Sequence, residues 1–155
     1  MLFKKQFDVS TKSGVIMANG KVSFQGVRLN VHCFVVDGVL IDTGSQSLEN
    51  ELKPFLKQQE VEKVMITHHH EDHTGCAAYL QELGKPIYMK EHFIDHCQKK
   101  ADYPLYRKLF WGKRQPFKAN PLGDTFTSKN AAWDVIPTPG HASDHVAFLK
   151  TQTGP

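Results

Sequence analysis

The sequence predicts an α+β fold, a mixed β-sheet with flanking helices, and three observations support this class. The first is a β-rich segment, 29–36, joined to a short apolar strand, 39–41, by the hairpin turn Asp37-Gly38. The second is the alternation of helical and strand patterns in the rest of the chain. The third is that this alternation lacks the regularity of an all-parallel nucleotide-binding sheet. An antiparallel start followed by helix and strand alternation favours a mixed sheet.

Length and composition indicate a single globular domain over residues 1–155. Of the 155 residues, 40% are hydrophobic and 23% are charged, which is typical of a chain that buries a substantial core. The longest uncharged apolar run, near 29–36, is far shorter than the roughly 20 residues that a membrane-spanning helix needs. The first residues include no apolar segment of a secretory signal, so a cytoplasmic protein is expected.

Charge and cysteine content exclude two further classes of site. The net charge is +3, with lysine and arginine scattered along the chain, so nucleic-acid binding is not expected. Cys33, Cys76 and Cys97 show no C-x-x-C spacing, so neither a disulfide framework nor a thiolate zinc site is indicated. We expect these cysteines to be buried as small apolar residues.

A helix is predicted after the strand 39–41. Ser45 or Ser47 can cap it, and apolar residues follow at helical spacing, namely Leu48, Leu52, Phe55 and Leu56. Pro54 is expected to kink this helix or to end its first half. The next apolar run, 63–67, predicts a buried strand whose end delivers a histidine-rich loop.

The remaining chain continues the alternation of helix and strand. A helix is predicted over about 74–83, an irregular helical excursion over 101–130, and two strands at 132–136 and 145–150. Residues 151–155 resemble the turn of a hairpin whose second strand would lie beyond residue 155. One edge of the sheet is therefore expected to be missing.

A cluster of histidines carries the chemistry. The chain has nine histidines, and four of them, His68, His69, His70 and His73, fall in one six-residue window. The pattern His68-x-His70-x-Asp72-His73 follows a predicted strand and contains imidazole and carboxylate groups, which zinc accepts as ligands. Ligands displaced along such a turn can serve two neighbouring metal ions, as in two-metal hydrolases.

Three stretches of the sequence resemble the metallo-β-lactamase fold superfamily of hydrolases. They are VLIDTG at 39–44, THHHEDHTG at 67–75 and TPGHASDH at 138–145, and their order and separation also match. The resemblance covers roughly residues 20–150 and implies an αβ/βα sandwich of two similar halves. The chain holds the first half and the start of the second, so the second half is expected to be largely missing.

The resemblance also implies a role for each matching residue. His68, His70 and His141 would hold the first metal, and Asp72 and His73 would belong to the second. Asp42 would be a structural aspartate beside the site, where it can accept a hydrogen bond from a metal-binding histidine.

The other histidines are expected to have structural roles. His69 alternates away from His68 and His70, and His145 is expected to pack beside the site. His32 lies in a predicted strand as a core or edge residue. His92 and His96 are four residues apart on a predicted helical segment, where a solvated face is favoured over a metal site.

The resemblance implies a metal-dependent hydrolase. One or two zinc ions, or manganese or iron in their place, would activate water, and Asp72 would be the catalytic residue that orients the resulting hydroxide. The family uses the same metal centre on several kinds of bond. An ester-like or thioester small molecule is the first expectation, and a phosphodiesterase or nuclease is the alternative enzyme.

A catalytically dead or split half-domain that binds a metal or a partner is the rival from another class. Only 14 residues follow His141, so the second metal site would have two of its four protein ligands. If the chain is complete, its exposed sheet edge and apolar surface are expected to cause self-association or to bind a complementing chain.

Overall fold

The computed structural model describes residues 3–153. The strands in this range are β1 Lys4–Lys12, β2 Val15–Phe24, β3 Val27–Val36, β4 Val39–Ile41, β5 Lys63–Met65, β6 Ile87–Met89, β7 Asn120–Pro121, β8 Thr125–Thr127, β9 Ala131–Pro137 and β10 Val146–Thr153. The α-helices are α1 Glu49–Gln58, α2 Glu71–Thr74, α3 Ala77–Glu82, α4 Ile94–Cys97 and α5 Leu105–Trp111. The strands form a seven-stranded sheet, β1 to β7 in chain order, and a three-stranded sheet of order β10-β9-β8.

Three two-residue turns build the antiparallel part of the large sheet. They are Ser13-Gly14, Gln25-Gly26 and Asp37-Gly38, and all six residues have φ between 48° and 82°. Positive φ at both central residues defines a type I′ turn, whose twist suits a hairpin. The turns connect β1 through β4 as an antiparallel meander. The sequence pattern predicts β3 and β4 but not β1 and β2, because nearly every side chain of β1 is exposed and its apolar residues form no clear alternation.

The parallel part of the large sheet, β4 to β7, is buried on both faces at its centre. Leu40 and Val64 belong to the main core, together with buried residues of α1 and α3. Val39 and Met65 point to the opposite face and belong to a second core. The prediction of a mixed sheet with flanking helices is therefore confirmed.

The three-stranded sheet covers the face opposite the helices. Val135 of β9 and Val146 of β10 pack with Val39 and Met65 of the large sheet. The Asp37 carboxylate accepts hydrogen bonds from Ser128 Oγ at 2.5 Å and from Asn130 N at 2.6 Å. The described residues thus form three layers, helices on a mixed sheet on a second sheet, and the small sheet is clamped to the turn between β3 and β4.

The start of the first helix differs from the prediction. A 3-10 turn, Gln46–Leu48, precedes α1, and neither Ser45 nor Ser47 makes a capping hydrogen bond through its side chain. The Ser47 hydroxyl instead donates to the Phe110 carbonyl at 2.6 Å, which ties this turn to α5. Of the two outcomes predicted for Pro54, a kink or an end to the first half of the helix, the second does not occur, since α1 runs through Pro54 to Gln58.

Two other segments differ from their predictions. The helix predicted over about 74–83 is observed as α3, Ala77–Glu82, and the short helix α2 precedes it. Between the two helices, Gly75 lies against the backbone of Ser45 and Gln46, which leaves no room for a Cβ atom. The excursion 101–130 contains α5 but also the strands β7 and β8. Residues 151–153 extend β10 and do not form a turn, while 154–155 lie outside the described residues. Within the described range, no helix is long and apolar enough to cross a membrane.

Candidate metal centre

The carboxyl ends of two neighbouring parallel strands place the predicted site residues. Asp42 follows β4 directly, and Thr67 begins the loop two residues after β5. The turn between β9 and β10 approaches from the second sheet, where Val146 N donates to the Thr67 carbonyl at 2.9 Å. This contact brings His141 against the histidine loop, since both segments leave their sheets at the same edge.

Three histidines converge at this edge. Ring nitrogens of His68, His70 and His141 lie within 4.8 Å of one another, and the set could hold a metal ion. His70 Nδ1 and His141 Nε2 are 3.1 Å apart. His68 is buried at 3% exposure, whereas His141 is exposed. The cluster is thus open on one side and enclosed on the other, as a site that binds both an ion and a substrate must be.

The hydrogen bonds of His68 leave one nitrogen free toward the cluster. Thr67 Oγ1 donates to Asp42 Oδ2 at 2.7 Å and lies 2.9 Å from His68 Nδ1. Because the Thr67 hydroxyl donates its hydrogen to Asp42, its oxygen accepts the hydrogen of His68 Nδ1. His68 Nε2 then carries a lone pair, and this buried atom has no hydrogen-bond partner among the described residues. A buried, unpartnered lone pair at the cluster fits a metal ligand.

Burial and neighbouring imidazoles keep His68 and His70 neutral. Burial, with the charges of His73, His70 and His145, lowers the pKa of His68 to about 3. Burial, with the charges of His69 and His141, also lowers the pKa of His70. Neutral imidazole is the form that ligates metals, so at pH 7 the electrostatics of the cluster favour ligation over protonation.

Asp72 and His73 lie next to the three histidines as a linked pair. His73 Nδ1 donates to Asp42 Oδ2 at 2.7 Å, and His73 Nε2 is 3.4 Å from Asp72 Oδ2. Although burial opposes the charged ring, these two carboxylates raise the pKa of His73 to about 10. The His73 and His68 ring centroids are 4.1 Å apart. Asp72 and His73 are thus adjacent to the histidine cluster but are not members of it.

His69 turns away from the cluster and anchors the loop. Its backbone N–H and its Nδ1 contact the Asp144 carboxylate at 2.9 and 3.0 Å. Its ring stacks on Phe93 with centroids 3.6 Å apart. Asp144 is 3% exposed, and this burial by itself raises the pKa of its carboxyl. The hydrogen bonds with His69 outweigh burial and keep the pKa of Asp144 below its usual value. His69 is therefore structural, as the alternation predicts.

The remaining histidines lie outside the cluster; His145 packs beside the site and His92 is exposed as predicted, whereas His32 is half-buried on an inner strand and His96 is half-buried. His145 packs beside the site, 4.8 Å from the His68 ring, and its Nδ1 is 2.7 Å from Thr138 Oγ1. His32 lies on β3 beside Phe34. His92 is exposed, and His96 Nε2 is 3.7 Å from Asp102 Oδ1. None of these four belongs to the cluster that could hold a metal within the described residues.

Two arginines support the loop, and sequence reasoning does not find them. Arg107 on α5 binds the buried Glu71 carboxylate with two contacts, 2.5 Å from Nε and 2.6 Å from Nη2. Arg114 is 3% exposed, and its Nη1 donates to the His69 carbonyl at 2.9 Å. Both arginines line a cleft of about 330 Å³ that reaches His70. They lie in a stretch without a clean period, so no local pattern predicts their contacts.

Comparisons with known proteins identify the family to which the chain is similar. The family model of the metallo-beta-lactamase superfamily matches residues 26–150. A hydroxyacylglutathione hydrolase of Idiomarina loihiensis is 30% identical over 112 residues, which are 71% of this chain and 36% of that protein. An atrochrysone carboxyl ACP thioesterase of Passalora fulva is 29% identical over 139 residues, 87% of this chain and 37% of that protein. The chain thus spans about a third of the length of these curated relatives.

Solved structures show the same architecture. A metallo-beta-lactamase from Pontibacter korlensis superposes with a TM-score of 0.68 at 25% identity, covering 92% of this chain and 66% of that one. A metallo-beta-lactamase family protein from Thermus thermophilus superposes with a TM-score of 0.60 at 22% identity, covering 87% of this chain and 55% of that one. The fold, the order of the motifs and the family model all lead to one conclusion: the chain belongs to the metallo-beta-lactamase superfamily.

Proposed function

We propose that this chain carries the metal centre of a hydrolase that acts on a thioester or a related small ester. The convergence of His68, His70 and His141 carries this proposal, because the buried His68 Nε2 has no partner among residues 3–153 and a buried polar atom needs one. The two curated relatives described above, a hydroxyacylglutathione hydrolase and an ACP thioesterase, support the substrate class.

The donor set indicates which residues would hold the metal. His68, His70 and His141 provide three imidazole nitrogens, and three protein ligands with an open position are typical of a catalytic zinc site. Zinc is the first expectation, and manganese or iron the alternatives. When bound, such an ion supplies Lewis-acid activation of water near neutral pH.

Residues beside the three histidines fix the orientation of the imidazole rings and provide a carboxylate. Asp42 holds Thr67 and His73, and Thr67 fixes the His68 ring with Nε2 toward the cluster. We propose that Asp72, beside His73, is the catalytic carboxylate that accepts a proton from the attacking water and orients it. Asp72 and His73 are also the proposed ligands of a second ion. The cleft that reaches His70 is the proposed approach of the substrate to the three histidines.

Metal content and turnover test the proposal together. Zinc per chain is measured by elemental analysis on the wild type and on His70→Ala, with His92→Ala as a control that removes an exposed histidine outside the cluster. We expect zinc in the wild type and in the control, and its loss in His70→Ala. Equal zinc in all three proteins would refute the ligand assignment.

A hydrolysis screen on the zinc-loaded protein then tests the reaction. Thioester, lactone and phosphodiester substrates separate the proposed activity from the nuclease alternative. Bound zinc without turnover on any substrate would favour the rival hypothesis of an inactive or split half-domain.

We also propose a cytoplasmic location for this protein and association of its small sheet with another chain. Cys33, Cys76 and Cys97 are all buried free thiols, which suits a reducing cytoplasm. Ile136 and Leu149 on the small sheet are 40% and 52% exposed, so self-association or a complementing chain is proposed there. A monodisperse monomer with cooperative thermal unfolding would contradict the proposed self-association.

A further inference from the structure

Four cationic side chains line a second cleft, which we call the basic cleft. They are Lys100, Lys108, Lys113 and Arg114, and they surround a volume of about 260 Å³ whose lining includes no carboxylate. The whole chain has 19 basic and 16 acidic residues, so four cations in one small cleft are a local concentration of charge. The fold creates this concentration by bringing the end of α4, helix α5 and the segment after α5 together.

The charge of the basic cleft is not balanced by the protein. Among residues 3–151, none of the three lysines has its Nζ within 4.0 Å of a carboxylate oxygen. Asp102, the acidic residue nearest in sequence, pairs with His96 instead, at 3.7 Å. A cleft with uncompensated positive charge concentrates anions from solution.

Two donors of the buried Arg114 guanidinium have no hydrogen-bond partner among the described residues. Its Nη1 donates to His69 and Thr74, but Nε and Nη2 are buried and have no partner among the described residues. In Arg107 the same pair of atoms, Nε and Nη2, binds both oxygens of the Glu71 carboxylate. A guanidinium does not lose its proton, and buried donors without partners are costly. The unused edge of Arg114 has the shape that binds two oxygens of an anion.

We propose that the basic cleft binds the phosphate group of a small molecule. A phosphate dianion suits a cleft with four positive charges better than a single carboxylate does, because Arg114 and the three lysines all line that cleft. Arg114 also lines the cleft that reaches His70, so the two clefts share a wall. The site goes beyond the proposed hydrolase activity and does not require it.

An NMR titration locates the site. Inorganic phosphate is added to ¹⁵N-labelled protein at constant ionic strength, and backbone amide shifts are followed. We expect saturable shifts within residues 100–116. The double variant Lys108→Gln/Lys113→Gln should weaken binding about tenfold or more, because two charge-assisted contacts are lost. Lys12→Gln/Lys57→Gln removes the same charge from exposed positions on β1 and α1 and should bind as the wild type does.

Further variants keep the proposal separate from the metal centre. His70→Ala, which removes a proposed metal ligand, should bind phosphate as the wild type does, whether or not the hydrolase proposal holds. Arg114→Lys keeps the charge but removes the fork, and it should also weaken binding.

Four results would overturn the assignment. They are the absence of saturable shifts, shifts confined to the histidine loop, equal weakening in the two double variants, and binding of citrate where phosphate does not bind. The last result would identify the ligand as a carboxylate.

Discussion

Replacing Asp42 with asparagine should move the hydrogen of His68 from Nδ1 to Nε2 and deprotonate His73 at Nδ1, without unfolding the chain. Asp42 Oδ2 accepts hydrogens from Thr67 Oγ1 and from His73 Nδ1, each at 2.7 Å. An amide NH2 group at this position is a donor, so both neighbours must become acceptors. The Thr67 hydroxyl then turns its hydrogen toward His68 Nδ1. His68 would then carry its hydrogen on Nε2, the atom proposed to bind metal, and His73 would lose the Nδ1 hydrogen that it donates to Asp42 in the wild type.

The alternative orientation of the new amide is also unfavourable. It places the NH2 group 2.7 Å from the backbone N–H of Thr67, where a donor faces a donor. Either orientation replaces charge-assisted hydrogen bonds with neutral ones, so the free energy of unfolding should fall by about 1–3 kcal/mol. Zinc affinity should fall about 10- to 100-fold, the usual effect of removing the group that orients a metal-binding histidine. Asparagine tolerates the positive φ of 61° at this position, so the backbone should persist.

Chelator competition measures the zinc affinity of Asp42→Asn, and imidazole ¹⁵N chemical shifts report which nitrogen carries hydrogen. Asp37→Asn is a matched control, since Asp37 also has a positive φ, 50°, but contacts Ser128 and Asn130 and not the histidines. A folded Asp42→Asn protein that binds zinc as tightly as the wild type would refute the reasoning. Thr67→Val should likewise lose affinity by removing the hydroxyl, and Thr67→Ser should keep it.

Three further changes test the packing around the site. Gly75→Ala should lower the free energy of unfolding in urea by about 1–3 kcal/mol, because the new Cβ would lie 2.2 Å from Gln46 N. Gly123→Ala is the control and should lower it much less, since the nearest atom to its new Cβ is 3.8 Å away. Arg107→Met should lower the free energy of unfolding by about 2 kcal/mol, because it leaves the buried Glu71 carboxylate unpaired. Adding Glu71→Gln should recover part of this loss. If nothing is recovered, the loss comes from packing and not from the unpaired charge. The hydroxyl of Ser128 and the groups of Asn130 lower the pKa of Asp37, so its contribution to stability is present above pH 3.8 and is lost as the pH falls below it. As the pH is lowered, the free energy of unfolding of Asp37→Asn should therefore fall less than that of the wild type. An equal fall in the two proteins would contradict this.

The opening meander shows where local patterns fail. The turn Asp37-Gly38 is a strong sequence signal, and the structure has a type I′ turn there. Ser13-Gly14 and Gln25-Gly26 adopt the same conformation, but serine and glutamine are weaker signals at the first position. Because β1 is almost wholly exposed, its apolar residues show no alternation to compensate. The strand forms because β2 provides a partner along nine residue pairs.

Serine capping fails for a related reason. Ser45 and Ser47 have the chemistry of a helix cap, yet the Ser47 hydroxyl donates to the Phe110 carbonyl, 63 residues away. A sequence pattern describes which bonds a residue can make with its neighbours. It does not show whether a carbonyl from a remote part of the chain lies within hydrogen-bond distance of that residue.

The sequence by itself determined the chemistry of the candidate site, and the tertiary structure decided which remote residues meet. His68, His70, Asp72 and His73 can be read from one short window after a buried strand, because their spacing along the backbone limits where they can lie. His141 is 71 residues from His70, and their contact depends on the start of β10 lying against the loop after β5, where Val146 N donates to the Thr67 carbonyl. The basic cleft likewise depends on how α5 packs. Local periodicity follows from backbone geometry, but distances between remote residues follow from strand pairing and packing, which no short window contains.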